Sequence, residues 1–142
     1  MLQKLEPLKA SEIWDDLYPN VKAALPQYSA NGALLNKALL QAVLRGVLTC
    51  WLLTDDNGSV FGVMTTTTSV DFVTGVRSML IYTLRALRAI SDEEYIDGIK
   101  ELKGYCEAEK CDQIIAYTKI PKVVEVIESM GGQRTDFIQL EV

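Results

Sequence analysis

The segment from Arg77 to Gly132 restricts the fold more than any other stretch of the chain. It opens with an apolar strand, Met79-Leu80-Ile81-Tyr82-Thr83-Leu84, and a short basic link, Arg85-Ala86-Leu87-Arg88. A helix with an acidic start follows, then a second buried strand from Gln113 to Thr118, then a Pro121-led helix that ends at Gly131-Gly132. Strand–helix–strand–helix is the layout in which a parallel sheet opens a ligand crevice beyond its strand ends. The rest of the chain reads as a platform for this unit.

At 142 residues the chain is expected to form one domain, residues 1–142. A chain of that size buries roughly 68–70% of its unfolded surface and needs no metal or disulfide to hold a core. No apolar run approaches the roughly 20 residues that span a bilayer. Met1 to Pro7 carries acid and proline where a secretory signal would need an apolar core. A cytoplasmic protein with no membrane partner is the expectation. The net charge of −5 argues against a nucleic-acid partner, which would need a cationic footprint. Cys50, Cys106 and Cys111 form no C-x-x-C pair and read as reduced, mostly buried thiols. The sequence has no histidine. That removes Ser-His and Cys-His nucleophiles and His-ligated metal sites, and no metal centre is expected. Any chemistry rests on carboxylates, tyrosines, cysteine, lysine or backbone groups.

Upstream, Ser11 can cap a helix from Glu12, with Trp14, Leu17, Tyr18, Val21 and Leu25 on one stripe. Pro19 predicts a kink or a handover to a second turn, and Pro26 ends the segment. Gln27 to Gly32 reads as a loop, with Asn31 a cap for a helix from Ala33 to Arg45. That helix is apolar almost all round, as expected of one held between a sheet and another layer or a partner chain. Val47 to Thr54 and Val60 to Val70 are strands joined at Asp55-Asp56-Asn57-Gly58, a tight-turn signal. Thr74-Gly75 turns the chain into the Met79 strand, completing an antiparallel meander. Ser91-Asp92-Glu93-Glu94 is a capping box, and Tyr95, Ile99, Leu102 and Cys106 give its helix one buried face. Gly98, beside that stripe, suggests close approach to the sheet. Val123, Val124, Ile127 and Met130 face inward on the last helix, and Thr135 to Val142 alternates as a final strand. The expected class is α/β (α+β): two N-terminal helices and a mixed central sheet of about five to six strands.

This order, a meander followed by β-α-β-α-β, resembles the GNAT-type N-acetyltransferase superfamily over nearly the whole chain. Ile120-Pro-Lys-Val-Val-Glu-Val-Ile-Glu-Ser-Met-Gly-Gly132 is similar to that family's last helix and closing turn. Glu107 to Ile115 resembles its passage into the fifth strand. In length the chain looks most like compact GNAT-like proteins of tailed phages. The resemblance implies acyl-CoA-dependent transfer, from acetyl-CoA or another acyl-CoA, to an amine on a small molecule or protein that the sequence does not specify. It implies that the fourth and fifth strands splay around the pantetheine arm. The pyrophosphate would rest on a glycine-rich loop at the next helix N-terminus. The matching residues carried over as cofactor-binding are Leu84, Arg85, Ala86, Arg88 and Ser91. That loop has no glycine here, and Asp92, Glu93 and Glu94 stand where phosphate charge would sit. Arg85 and Arg88 compensate in part, or simply form a solvated link.

Ile127 occupies the position where many members carry a proton-donating tyrosine, and the asparagine that often precedes that helix is replaced near Ile120. The catalytic candidates are therefore Tyr82 and Tyr117, on the two strands that would splay, and Asp71 as a general base. Buried packing is the commoner role for such tyrosines, and turn chemistry explains Asp71 equally well. Two functions follow: an acyltransferase with weak or unconventional acyl-CoA binding, or an inactive GNAT-fold binding or structural module. The second would be a homo-oligomer or a virion-associated component.

Overall fold

Asp55 to Ser59 turns the chain as its sequence dictates. The Asp55 Oδ1 accepts the N–H groups of Asn57 and Ser59 at 3.0 and 2.9 Å, and Gly58 takes a φ of +79°. This hairpin joins β2 (Thr49–Thr54) to β3 (Val60–Val70), and β4 (Arg77–Ala86) completes the meander. The computed structural model describes residues 1–25, 32–118, 120–140 and 142. The loop expected over Gln27 to Gly32, with its Asn31 cap, lies outside them except for Gly32, which begins α3 (Gly32–Leu44). The remaining elements are β1 (Leu2–Leu5), α1 (Pro7–Glu12), α2 (Trp14–Ala24), α4 (Asp92–Ala108), β5 (Gln113–Ala116) and α5 (Pro121–Ser129). The sheet runs β1-β2-β3-β4-β5, antiparallel until the last pair, which is parallel. Among the described residues no helix is long and apolar enough to cross a membrane.

The sheet is covered on both faces, which is why β2 lacks clean alternation. One face carries Leu5, Cys50 and Val63 and packs on Ala10, Trp14, Leu17, Val21, Leu39 and Val43 of α1 to α3. The other carries Leu2, Trp51, Leu53, Met64, Met79 and Ile81 and packs on Leu102 and Cys106 of α4. Leu102 is 1% exposed, the centre of the stripe read from the sequence.

Several expectations need correction. Leu2–Leu5 is an edge strand, paired Leu2↔Leu53 through Leu5↔Cys50. Ser11 caps nothing. It lies inside α1, where Pro7 takes the first helical position, and its Oγ donates to the Leu8 carbonyl at 2.7 Å. The helix break falls at Ile13, and α2 continues through Pro19. Among the described residues the N-terminal helices thus number three. Gly98 has no close approach to explain it: a Cβ there would meet nothing within 4 Å. The described residues of Thr135 to Val142 form no strand. Among them Phe137, Ile138 and Leu140 are exposed, because alternation alone supplies no neighbouring strand to bond.

Two glycines should respond oppositely to alanine. Gly104, mid-helix with open space around it, should gain about 0.5–1 kcal/mol in Gly104→Ala. At Gly132 a Cβ would collide with the Ile127 side chain and carbonyl, so Gly132→Ala should lose about 1–3 kcal/mol. Thermal melts of the two variants check the signs.

Candidate functional site

β4 and β5 pair over four rungs, from Ser78↔Gln113 to Ile81↔Ala116. β5 then stops, two residues short of the expected Thr118, while β4 continues to Ala86. A bulge sits at the same level. Thr65 faces Thr83 and Thr66 faces Ile81, which leaves Tyr82 without a partner on β3. Tyr82 and Tyr117 are the first residues past the last parallel rung. Tyr82 is 37% exposed and Tyr117 61%, the latter with its ring tilted on Phe137 at 5.1 Å.

Asp71 stands elsewhere. Its Oδ1 accepts from the Thr74 and Val73 N–H groups at 2.8 and 2.9 Å and from the Thr74 hydroxyl at 3.1 Å. These donors, the backbone N–H of Thr74 foremost, hold its carboxyl below the usual range. β4 separates this turn from Tyr82, and the five residue steps from Arg77 to Tyr82 span about 17 Å. The structure places the two tyrosines just past the last rung of the parallel ladder and leaves Asp71 at the far end of β4.

The residues expected to hold the cofactor cluster at the C-terminal end of β4, with different surroundings. Leu84 packs into the α4-side core, Ala86 pairs with Gly62, and Arg85 is exposed. Ser91 caps α4, with a reciprocal bond between its hydroxyl and the Glu94 N–H at 3.2 Å and between its N–H and Glu94 Oε1 at 3.1 Å. Arg88 donates both Nη atoms to the Glu94 carboxylate, at 3.0 and 2.8 Å, and its Cζ lies 4.3 Å from the Phe61 ring centroid. Lys122, in the first turn of α5, reaches Asp92 Oδ1 at 3.0 Å and Glu125 at 3.2 Å. Sequence reading did not single out Lys122 or Phe61. Lys122 left a weak signal, an acid three residues on in the same helix. Phe61 left none, since 27 residues separate it from Arg88.

The Arg88 bonds, with help from the Ser91 N–H, lower the Glu94 pKa to about 2. A depressed carboxyl stabilises the fold above its unfolded pKa and loses that contribution as pH falls toward the folded value. The stability difference between wild type and Glu94→Gln should therefore be flat above about pH 5 and shrink below it. Urea unfolding across pH 3 to 8 (a range set by the ordinary glutamate pKa, about 4.3) reads it out.

A cavity of about 330 Å³ lies beside β1 and α4, lined by Asp55, Asp56, Glu94 and Asp97 among others. Its acid walls suit a cation rather than a phosphate, and the two tyrosines are not among its lining residues. Cys50 and Cys106 are held protonated, burial pushing each thiol up to about 11. An acyl-CoA needs a narrow gap for its arm and cations with free N–H groups for its diphosphate. Past the Ile81–Ala116 rung the parallel ladder has ended. Arg88 and Lys122 are both bonded to the chain's own acids.

No family model and no curated protein matches the sequence. Solved structures match the fold along the whole chain. A probable acetyltransferase aligns over 100% of this chain and 96% of its own at 11% identity, with a TM-score of 0.70. A predicted acetyltransferase of Clostridium acetobutylicum determined with acetyl-CoA aligns over 99% and 95% at 12% identity, with a TM-score of 0.69. A GNAT family acetyltransferase of Staphylococcus aureus aligns over 100% and 98% at 11% identity, with a TM-score of 0.64. At such identities the likeness carries the architecture and not the chemistry. The chain has the mixed α/β fold of the GNAT acetyltransferases.

Proposed function

We propose that this protein is an acyl-CoA-dependent N-acyltransferase whose acyl arm enters between β4 and β5 past the Ile81–Ala116 rung. The observation that carries this reading is the end of the parallel ladder at the level of the Tyr82 bulge. The cofactor supplies an acyl thioester, from which the group passes to an amine. Tyr82, re-aimed by the bulge, holds the proton that the departing thiolate needs. Tyr117 lines the mouth on the acceptor side. Three free cysteines and an acyl-CoA donor are consistent with a cytoplasmic reaction. Calorimetric titration with acetyl-CoA tests the reading: saturable heat supports it, and silence at millimolar ligand overturns it.

A second reading is favoured by one observation, the pairing of Arg88 and Lys122 with internal acids. On it the fold is a non-catalytic module, as in a compact phage-type protein, and works by self-association. Leu34 and Leu44 of α3 and Val47 after it are exposed and could meet a second copy. Light scattering that finds a strict monomer would exclude it.

A further inference from the structure

We propose that Cys106 and Cys111 form a redox couple, which a low-molecular-weight disulfide such as oxidised glutathione converts into an intramolecular disulfide stapling the end of α4 to the start of β5. The inference is independent of the acyl-CoA reading. Helix α4 ends in a Schellman turn. Lys110 takes the left-handed conformation at a φ of +58°, and its N–H donates to the Glu107 carbonyl at 3.2 Å. The Cys111 N–H donates to the Cys106 carbonyl at 2.8 Å. In such a turn the side chains at the two ends of the longer bond meet, usually as an apolar contact. Here both are cysteines. That bond and standard backbone lengths limit the Cα separation of Cys106 and Cys111 to about 6.7 Å at most, within the roughly 4.4–6.8 Å that a disulfide spans.

The two thiols differ in access. Cys106 is buried with its Sγ 3.6 Å from the Sδ of Met79 in β4, while Cys111 is half-buried against the same core cluster. Cys50 is fully buried in the cluster on the other face of the sheet. Cys111, the reachable sulfur, attacks the oxidant. A Cys111–glutathione bond forms, the sulfur–sulfur bond of the oxidant breaks, and one glutathione leaves with the Cys111 proton. Cys106 then attacks the Cys111 sulfur and expels the second glutathione, which takes the Cys106 proton. Two protein thiols are oxidised, and one glutathione disulfide is reduced to two thiols. Burial pushes the Cys106 thiol up to about 11, and the neighbouring Cys111 adds to the rise. A thiol of that kind is a slow leaving group, so the disulfide should reopen slowly once made. The junction it closes borders the parallel ladder. Met79 pairs with Ile114, and the Asp112 N–H, next after Cys111, donates to the Arg77 carbonyl at 2.7 Å.

Equilibration of the native full chain with oxidised and reduced glutathione, followed by alkylation and peptide mapping, tests this. In wild type Cys106 and Cys111 should lose alkylation together and appear cross-linked, while Cys50 is alkylated only after unfolding. Cys111→Ser should leave Cys106 reduced, because the reachable sulfur is gone. Cys106→Ala should trap glutathione on Cys111, because no second thiol displaces it. Thermal melts of oxidised and reduced wild type give a second readout: oxidation should raise the midpoint, since the cross-link restricts the unfolded chain. Glutathione held on Cys111 of wild type without a cross-link overturns the inference. So do equal oxidation of Cys106 in Cys111→Ser and three free thiols in an excess of oxidised glutathione. A midpoint lowered by oxidation overturns the staple.

Discussion

Trp51→Ala is expected to lower the free energy of unfolding by about 3–5 kcal/mol. Trp51 lies in β2, between β1 and β3, and is 2% exposed. Its ring meets Tyr105 of α4 edge-on at 4.7 Å, so it joins the sheet to the helix that covers it. Its Nε1 donates to the Thr66 hydroxyl at 2.9 Å, beside the bulge that leaves Tyr82 unpaired. Truncation opens a cavity and orphans a buried hydroxyl that is 2% exposed with its residue. Trp51→Phe separates the two costs. It keeps most of the volume, loses the hydrogen bond, and should cost about 1–3 kcal/mol. Urea unfolding should show both as a lower midpoint with an unchanged slope. A loss under about 1 kcal/mol for the alanine variant would mean that β2 is not the centre of the core.

Tyr82→Phe is expected to lower turnover by about a hundredfold while leaving acetyl-CoA affinity unchanged, the signature of a proton donor rather than a binding group. The bulge takes Tyr82 out of register with β3 at the level where the β4–β5 ladder ends. Phenylalanine fills the same space, so the fold and the gap are kept. Tyr117→Phe preserves the stack on Phe137 and should change turnover by less than about threefold, since a ring that lines the acceptor mouth needs no hydroxyl there. Release of CoA thiol with a panel of primary amines measures both variants. The reverse ranking would move the proton donor to β5, and equal, negligible effects would remove the phenols from the mechanism.

The elements that could be read from the sequence are those whose signals are local. Asn57-Gly58 specifies its turn, Ser91 and Glu94 their capping box, and Pro121 its helix start, because each residue acts on backbone groups within a few positions. The helix stripe through Leu102 and Cys106 is legible for the same reason. The edge strand Leu2–Leu5 is not, because four residues carry too little pattern and its partner lies near Cys50 to Leu53. Thr135 to Val142 fails in the opposite sense: it has the pattern, but no strand beside it to complete the bonds. At the site, strand order alone predicts that Tyr82 and Tyr117 become neighbours. The capping box was legible, but not that its glutamate also holds Arg88, which lies against the Phe61 ring, nor that Asp92 holds Lys122, a contact that depends on how α4 and α5 start side by side.

The central claim is that an acyl-CoA lies between β4 and β5 beyond Ile81 and Ala116. Amide chemical-shift mapping of the ¹⁵N-labelled protein during an acetyl-CoA titration tests it most directly. The account predicts saturable shifts concentrated at Tyr82 to Leu84, at Tyr117 and Thr118, and in the first turn of α4. An unchanged spectrum at millimolar acetyl-CoA, or shifts confined to other parts of the chain, would contradict it.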